Sequence, residues 1–517
     1  MTTPAMNYEI IPKSESHLYI QNPQFSFFNG NPPKRHSPFC KSPITLLFNN
    51  NPAYGGITST TVGNTTDLMA QAYLEWTIPE MQLKVIPGSG FTGTANARFC
   101  LANNFGHAAI NWIEVAIGPN RIDRHYGTWL QIWTQLTTPV GDTVNDKLVG
   151  SYNKEDPSSS IFSPEGILVS YPEPSPSTSY QNPLSNNGVY GVISARTIRV
   201  PLKFWFCKES ALALPLVALQ TPVTINVQFN PVSQLGVLIL EKSGPSDTVT
   251  AQVTTGVNSA LASVTLAPES PTTGLLYIST QLSNLPMPNL RYVYQGISIG
   301  TAEKRRTLTI PCEHLIETLQ YSPKTTILSR NVSIDVHFTG HIKELFWVVS
   351  TTSATKDVLG VNLFGRHGLY IKNNFITGAA VNGLNMSTSL TTLRSKISSG
   401  DVGIHPVQSC AIQFDGADRV PAADAEFYSS VQLNENHVGK LSPGVYVYSF
   451  ALQPEDCYQH SGQVNFNAFR TLTFKLSMHP SLFDNHPTES YHFQCYALSV
   501  NFLRIIKGQG GLAYASS

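Results

Sequence analysis

The stretch RTIRVPLKFWFCKESALALPLVALQTPVTINVQF, residues 196–229, decides the fold class. Ile198, Val200, Leu202 and Phe204 alternate with Thr197, Arg199, Pro201 and Lys203, the period of a half-buried strand. Pro201 marks that strand as an edge, or as bulged there, because proline cannot donate to a ladder. The apolar run Leu212–Leu219 is too short to cross a bilayer and carries Pro215 near its centre, so it reads as core. Val223, Ile225, Val227 and Phe229 then alternate with Thr224, Asn226 and Gln228, giving a second strand with one buried face.

The pattern returns. Arg196-x-Ile-x-Val-x-Leu-x-Phe204 is matched by Arg330-x-Val-x-Ile-x-Val-x-Phe338, and each is followed by a Lys-Glu pair, Lys208-Glu209 and Lys343-Glu344, and an apolar run. The match points to one β topology used twice. A chain of 517 residues has room for two or three cores. Charged residues are only 13%, against about a quarter in ordinary soluble proteins. With 36 Gly and 35 Pro, the composition is that of many short strands joined by tight turns. Low charge also favours assembly, since interface cores are depleted of it.

Net charge is zero and no Lys/Arg stripe occurs, so no direct nucleic-acid binding is expected. The first twenty residues lack the basic and apolar regions of a secretory signal, and no apolar stretch is long enough for a transmembrane helix. Seven scattered cysteines, Cys40, Cys100, Cys207, Cys312, Cys410, Cys457 and Cys495, without a CxxC pair, fit free thiols and synthesis in a cytoplasm.

Along the chain, strands are expected at 18–28 and 34–48, extended structure at 70–86, and a strand holding Ile113, Val115 and Ile117. Trp129, Leu130, Trp133 and Leu136 share one face of a helix, read as core. Residues 138–190 are Pro/Ser/Asn-rich and read as a long surface excursion; 230–286 carries only weak strand signals. CEHLIETLQ, 312–320, is a short helix candidate. Late strands fall at 444–452, 470–478 and 491–506; the first is apolar on both faces and so expected to be covered on both.

Motifs of chemistry are thin. GSGFTG at 88–93 fits GxGxxG, but Pro87 precedes it and no helical period follows, so it reads as a Gly-rich loop. His337 and His341 are four apart, about 13 Å on a strand, too far for one ion. Glu313 and Glu317 at i, i+4 on the helix candidate read as a solvated face. GxSxG, HExxH and Walker sequences are lacking, and Glu303, Glu344, Glu455 and Asp456 are not paired by spacing. The expectation is no catalytic residue, no cofactor and no metal. The sequons at Asn64, Asn331 and Asn385 read as coincidence in a cytoplasmic chain.

Several blocks together resemble the major capsid proteins of large icosahedral DNA viruses of eukaryotes, the iridovirus, phycodnavirus, marseillevirus and mimivirus group. They are Asn22-Pro-Gln-Phe-Ser-Phe-Phe28 with Lys34-Arg-His-Ser-Pro-Phe39, Ile117-Gly-Pro-Asn-Arg-Ile-Asp-Arg-His-Tyr-Gly-Thr-Trp-Leu-Gln-Ile-Trp133, and Val200-Pro-Leu-Lys-Phe-Trp-Phe-Cys207 with Ala213–Gln220. In the second half they are His314–Glu317, Lys343–Trp347, Pro443–Glu455, Ser461-Gly462, Asn465-Phe466 and Leu503–Tyr514. The stretches 233–286 and 353–425 depart from the pattern by their length.

The resemblance implies an all-β double jelly roll, two tandem eight-stranded jelly rolls with a few short helices in loops. The expected division is an N-terminal arm at 1–17, a first jelly roll at 18–235 and a second at 236–517. It implies a structural subunit of the virion shell: a homotrimer forming a pseudo-hexameric capsomer, in contact with neighbouring capsomers and with minor capsid and penton proteins. A transient assembly scaffold and a carbohydrate-binding jelly roll are the rival readings; Ser/Thr/Asn/Gly-rich loops speak against the second. The 138–190 excursion is expected to project outward from the capsomer. Continuing the strand period puts Trp205 on the face opposite Phe204 and Phe206, and so under the neighbouring jelly roll or an adjacent subunit, unless a bulge at Pro201 turns it into its own core.

Overall fold

The computed structural model describes residues 37–514 except 51, 89–92, 154–155, 163–165, 172–188, 244–247, 256–258, 267–275, 284, 352–404, 443, 458 and 480–490. The strand expected at 18–28 and the motif at 22–28 lie outside the described residues.

Alternation drives the architecture. In β12 (Val223–Phe229) every odd residue is buried and every even one is half-exposed. The strand pairs with β2 (Ile57–Val62) on one side and β6 (Ile110–Ile117) on the other, and β7 (Asn120–Tyr126) completes the sheet. Facing it is an antiparallel sheet ordered β1 (Phe39–Leu47), β17 (Arg291–Ile299), β3 (Leu68–Ile78) and β10 (Arg196–Pro201), with β11 (Leu214–Pro215) pairing at the start of β3. The two sheets close on one core, where Trp76 of β3 meets Phe229 of β12 edge-on at 5.9 Å. β10 is an edge strand and Pro201 is its last residue, as proline requires.

The second sandwich pairs β18 (Cys312–Ile327), β26 (Tyr491–Ile506), β20 (His341–Thr351) and β23 (Val445–Ser449) in one sheet, with β24 (Val464–Asn465) and β27 (Gln509–Leu512) at its margins. The other sheet holds β19 (Asn331–Val336), β25 (Leu472–Met478), β21 (Val407–Phe414) and β22 (Ala417–Asp424). Trp347 of β20 and Phe474 of β25, 5.2 Å apart, join them. Counted along the chain, both sandwiches have the order first-eighth-third-sixth over second-seventh-fourth-fifth. One topology is indeed used twice.

The sequence match that suggested the duplication does not align equivalent strands. Residues 196–201 form the sixth strand of the first sandwich, whereas 331–336 form the second strand of the other. Two half-buried strands look alike because burial sets their period, wherever they sit in the sheet order.

A further β-sandwich grows from the first. One sheet is β15 (Ser259–Leu266), β14 (Val249–Thr255), β4 (Met81–Pro87) and β9 (Val189–Ile193); the other is β16 (Leu276–Gln281), β13 (Gly236–Ser243), β5 (Thr94–Leu101) and β8 (Ile167–Tyr171). These strands are inserted after the third, fifth and seventh jelly-roll strands. All three insertions leave from the same end, since Ile78 is paired with Arg196 and Trp112 with Tyr126.

This corrects the expected division. Strands from 236 to 299 pair with β5, β4, β3 and β1, so the change to the second sandwich falls at the exposed helix Thr301–Thr309, not at 235/236. Polar Ser/Thr faces on short strands had hidden 249–266. The 138–190 stretch is also more ordered than its composition implies, with a helix at Val144–Val149, β8 and the start of β9. The GSGFTG turn leads into β5, a strand and not a helix.

The helix Gly127–Thr137 forms as its spacing predicts. The helix candidate at 312–320 does not, because β26 offers it a full antiparallel partner from Cys312 to Ile327. Trp205 is a second local correction. The strand stops at Pro201, a short helix Trp205–Lys208 follows, and Phe204, Trp205 and Phe206 are all buried in the first core. Phe204 and Phe206 stack at 5.7 Å and Trp205 stands perpendicular to Phe206 at 5.1 Å. At 1% exposure Trp205 is not available to an adjacent subunit.

Candidate functional site: the seam between the sandwiches

The sheet β18–β26–β20–β23 is apolar on both faces. Leu345, Trp347 and Val349 of β20 enter the second core, while Phe346 and Val348 point the other way. β23 does the same, with Tyr446 inward and Val445 and Val447 outward. The outward set is covered by Trp129, Ile132, Trp133 and Leu136 of the helix Gly127–Thr137, from the first sandwich. Trp129 meets Phe346 at 5.0 Å and Tyr496 at 5.9 Å. The aromatic helix face is core, as expected, but it is the core of a joint. The two-sided coverage expected of 444–452 holds across Val445–Val447.

Charge is buried at the same joint. Glu317 on β18 is 5% exposed and lies between two ammonium groups. Lys208, from the first sandwich, reaches Oε2 at 2.5 Å; Lys343 of β20, fully buried, holds Oε1. Burial pushes the carboxyl up, but the two lysines outweigh it and hold it at about 2. Lys208 suffers the same burial, and Glu317 turns its shift upward. Lys208 also lies 4.2 Å over the Trp133 ring, a cation–π contact tying the ion cluster to the apolar seam. Beside it, His437 bridges Glu344 at 3.1 Å and Glu455 at 2.9 Å. Burial opposes its protonation, but the two carboxylates raise it to about 9.

Backbone closes the seam. Gly439 and Lys440 donate their N–H groups to Leu136 and Gln135 at 2.8 and 3.0 Å, satisfying carbonyls the helix end would otherwise leave bare. A Cβ on Gly439 would lie 1.8 Å from the Gln135 oxygen, so only glycine allows the approach. Gln135 reads Ser442 with its own amide, donating to Oγ at 3.0 Å. Asp123 accepts from the Leu319 N–H at 3.0 Å, and Gln220 donates its backbone N–H to Gly508 at 2.8 Å.

The residues weighed for chemistry scatter or serve this joint. Glu313 pairs with Arg504 at 2.9 Å on the surface, while Glu317, expected on a solvated helix face, is buried in the seam. Glu455 bonds His437; Glu303 is exposed. No group of three His, Cys, Asp or Glu among the described residues could hold a metal. All seven cysteines are unpaired. Asn64 and Asn331 are exposed, and Asn385 lies outside the described residues. Lys208, Lys343, Glu317 and His437 were missed as a cluster. Their signal was local: a Lys-Glu pair running directly into Leu-Phe-Trp-Val-Val cannot leave its charges in water, and a buried charge needs a partner.

Two eight-stranded sandwiches of identical strand order, fused across a sealed seam, define a double jelly roll of the capsid type. Solved structures carry the same fold. The capsid of Paramecium bursaria Chlorella virus 1 matches at a TM-score of 0.60 and 22% identity, over 94% of this chain and all of that one. The Faustovirus major capsid protein matches at a TM-score of 0.64 and 12% identity, over 96% and 94% of the two chains. The model of the major capsid protein N-terminus matches residues 26–268, and that of the large eukaryotic DNA virus major capsid protein matches 303–511. The major capsid protein of Phaeocystis pouchetii virus is 27% identical over 98% of this chain and 99% of its own; that of Paramecium bursaria Chlorella virus 1 is 25% identical over 98% and 99%. The chain belongs to the major capsid proteins of large eukaryotic DNA viruses, and its role is that of a structural subunit of the viral capsid.

Proposed function

We propose that three copies of the chain close into a pseudo-hexagonal capsomer that tiles an icosahedral shell. The observation that supports this best is the identical strand order of two sandwiches locked by one buried seam. Two like units per chain, taken three times, present six similar edges, which suits a flat hexagonal array. Exposed apolar side chains at Phe39, Leu47, Leu452, Phe502 and Ile506 suit lateral contacts. Obligate interfaces bury on the order of 2,000–5,000 Å², so sedimentation of the purified chain at micromolar concentration should give a trimer; monomer alone refutes the reading.

In this reading the first jelly roll spans the described residues from 37 to 299 and the second those from 312 to 512. The inserted sandwich, to which β8 and β9 contribute, forms the outward tower. Limited proteolysis of intact particles should cut between 172 and 188 first. Neighbouring capsomers and minor capsid and penton proteins are the partners, the chain is made in the host cytoplasm, and it neither catalyses a reaction nor touches nucleic acid directly. Copy number in purified particles, measured by mass spectrometry, separates a shell subunit from a transient scaffold.

A further inference from the structure

Beside the seam lies a cavity of about 680 Å³, within the range of small-molecule sites. Its floor is the outer face of the sheet β10–β3–β17, and one wall carries Trp133 of the seam helix and Leu148. The second sandwich closes one side with Glu455 and Cys457.

The charges of the cavity are unevenly satisfied. Arg199 engages Glu75 through Nε at 2.7 Å, Lys208 is held by Glu317, and Glu455 is taken by His437. Glu209 is the remaining carboxylate on the lining. Lys203 differs: among the described residues no carboxylate or other acceptor engages its ammonium group, although burial already disfavours the charge. Its neighbour Cys207 brings no counter-charge, because burial pushes the thiol up to about 12. A half-buried cation without a partner is costly unless something else supplies the anion.

The floor is shaped for a visitor as well. β3 carries a bulge at Gln71, which lies in the left-handed region at φ 39° between the paired residues Ala70 and Ala72. Bulges re-aim side chains, and this one adds an exposed amide to the cavity lining. Tyr73 and Val293 supply apolar surface beside it.

We propose that this cavity binds a small organic anion, its carboxylate or phosphate head on Lys203 and Gln71 and its apolar or aromatic body against Tyr73, Leu148 and Val293. The site is shared by both sandwiches, so an occupied cavity adds to the seam.

The test uses the purified full-length chain in its native oligomer, titrated calorimetrically with inorganic phosphate, phenyl phosphate, phenylacetate and, as the neutral analogue, benzyl alcohol. At least one organic anion should bind at least about tenfold more tightly than benzyl alcohol, the size of one charge-assisted hydrogen bond. The phosphate and carboxylate arms then identify the head group. Lys203→Met should lose that preference, and Lys203→Arg should keep most of it. Melting temperatures of both variants check folding; Lys203→Met should melt no lower than the parent, because it removes an unpaired charge. Equal binding of anions and benzyl alcohol, no binding by any probe, or anion preference retained in Lys203→Met overturns the proposal.

Discussion

Glu317→Gln isolates what the buried ion cluster contributes. The amide keeps the shape of the side chain but leaves Lys343, fully buried, and Lys208, 12% exposed at the side chain, without a counter-charge. Removing one partner of a buried pair costs about 3–5 kcal/mol. The carboxyl gives an independent figure. It is held at about 2 against an ordinary 4.5, and at about 1.36 kcal/mol per pH unit that gap amounts to about 3 kcal/mol. Because the folded value is depressed, this stability is present above pH 4.5 and is lost as pH falls toward 2. For a cooperative unit of about 200 residues, about 3 kcal/mol lowers the melting temperature by about 6–12 °C.

Differential scanning calorimetry of parent and variant at pH 7 measures the loss, and a series from pH 5 to 2 measures its acid limb. Glu317→Gln should melt lower at neutral pH and should lose the part of the acid dependence that belongs to Glu317. Glu317→Gln with Lys343→Met should recover part of the loss, since one stranded charge is gone. A variant melting within about 2 °C of the parent at pH 7, with the same acid limb, would refute the reasoning.

Three more expectations concern the same molecule. Trp205→Ala should cost about 3–5 kcal/mol of folding stability, as buried aromatic truncations do, while trimer affinity measured by sedimentation stays unchanged, because the ring is packed inside its own sandwich. Gly439→Ala sets a methyl against the Gln135 and Leu136 oxygens, so calorimetry should show a loss of about 1–3 kcal/mol. His437 is held protonated to about 9 against an ordinary 6.5; its contribution, about 3 kcal/mol by the same conversion, is present below pH 6.5 and lost as pH rises through 9. Melting curves at pH 6 and 9.5 should therefore differ more in the parent than in His437→Gln.

The sheets were legible in the sequence wherever one face is wet and the other dry. The 223–229 strand, the Trp129–Leu136 helix face and the two-sided 445–447 segment declare themselves by period alone. Strand order was not legible, because a period reports burial and carries no record of the partner; hence the false equivalence of 196–204 and 330–338. Residues 312–320 misled for a related reason. Glu313, Leu315, Glu317 and Leu319 mix charge with apolar residues at a spacing that suits either element, and only the long pairing with β26 decides. Trp205 misled because a four-residue helix after Pro201 breaks the strand's alternation within one residue.

The seam explains why charge is spent in so apolar a place. Phe346, Val348, Val445 and Val447 would let the helix Gly127–Thr137 slide along them, since hydrophobic contact has no direction. The polar contacts do have direction. Glu317 accepts from lysines of both sandwiches, Asp123 accepts from Leu319, and the Gly439 and Lys440 N–H groups fit only the carbonyls of Leu136 and Gln135. Any slip of one sandwich against the other strands a buried charge or backbone group, at about 1–3 kcal/mol or more for each. Apolar burial therefore holds the two jelly rolls together, and the ion cluster and backbone pairs fix their register. A shell tile needs both properties, because an error in the angle between its halves repeats in every copy.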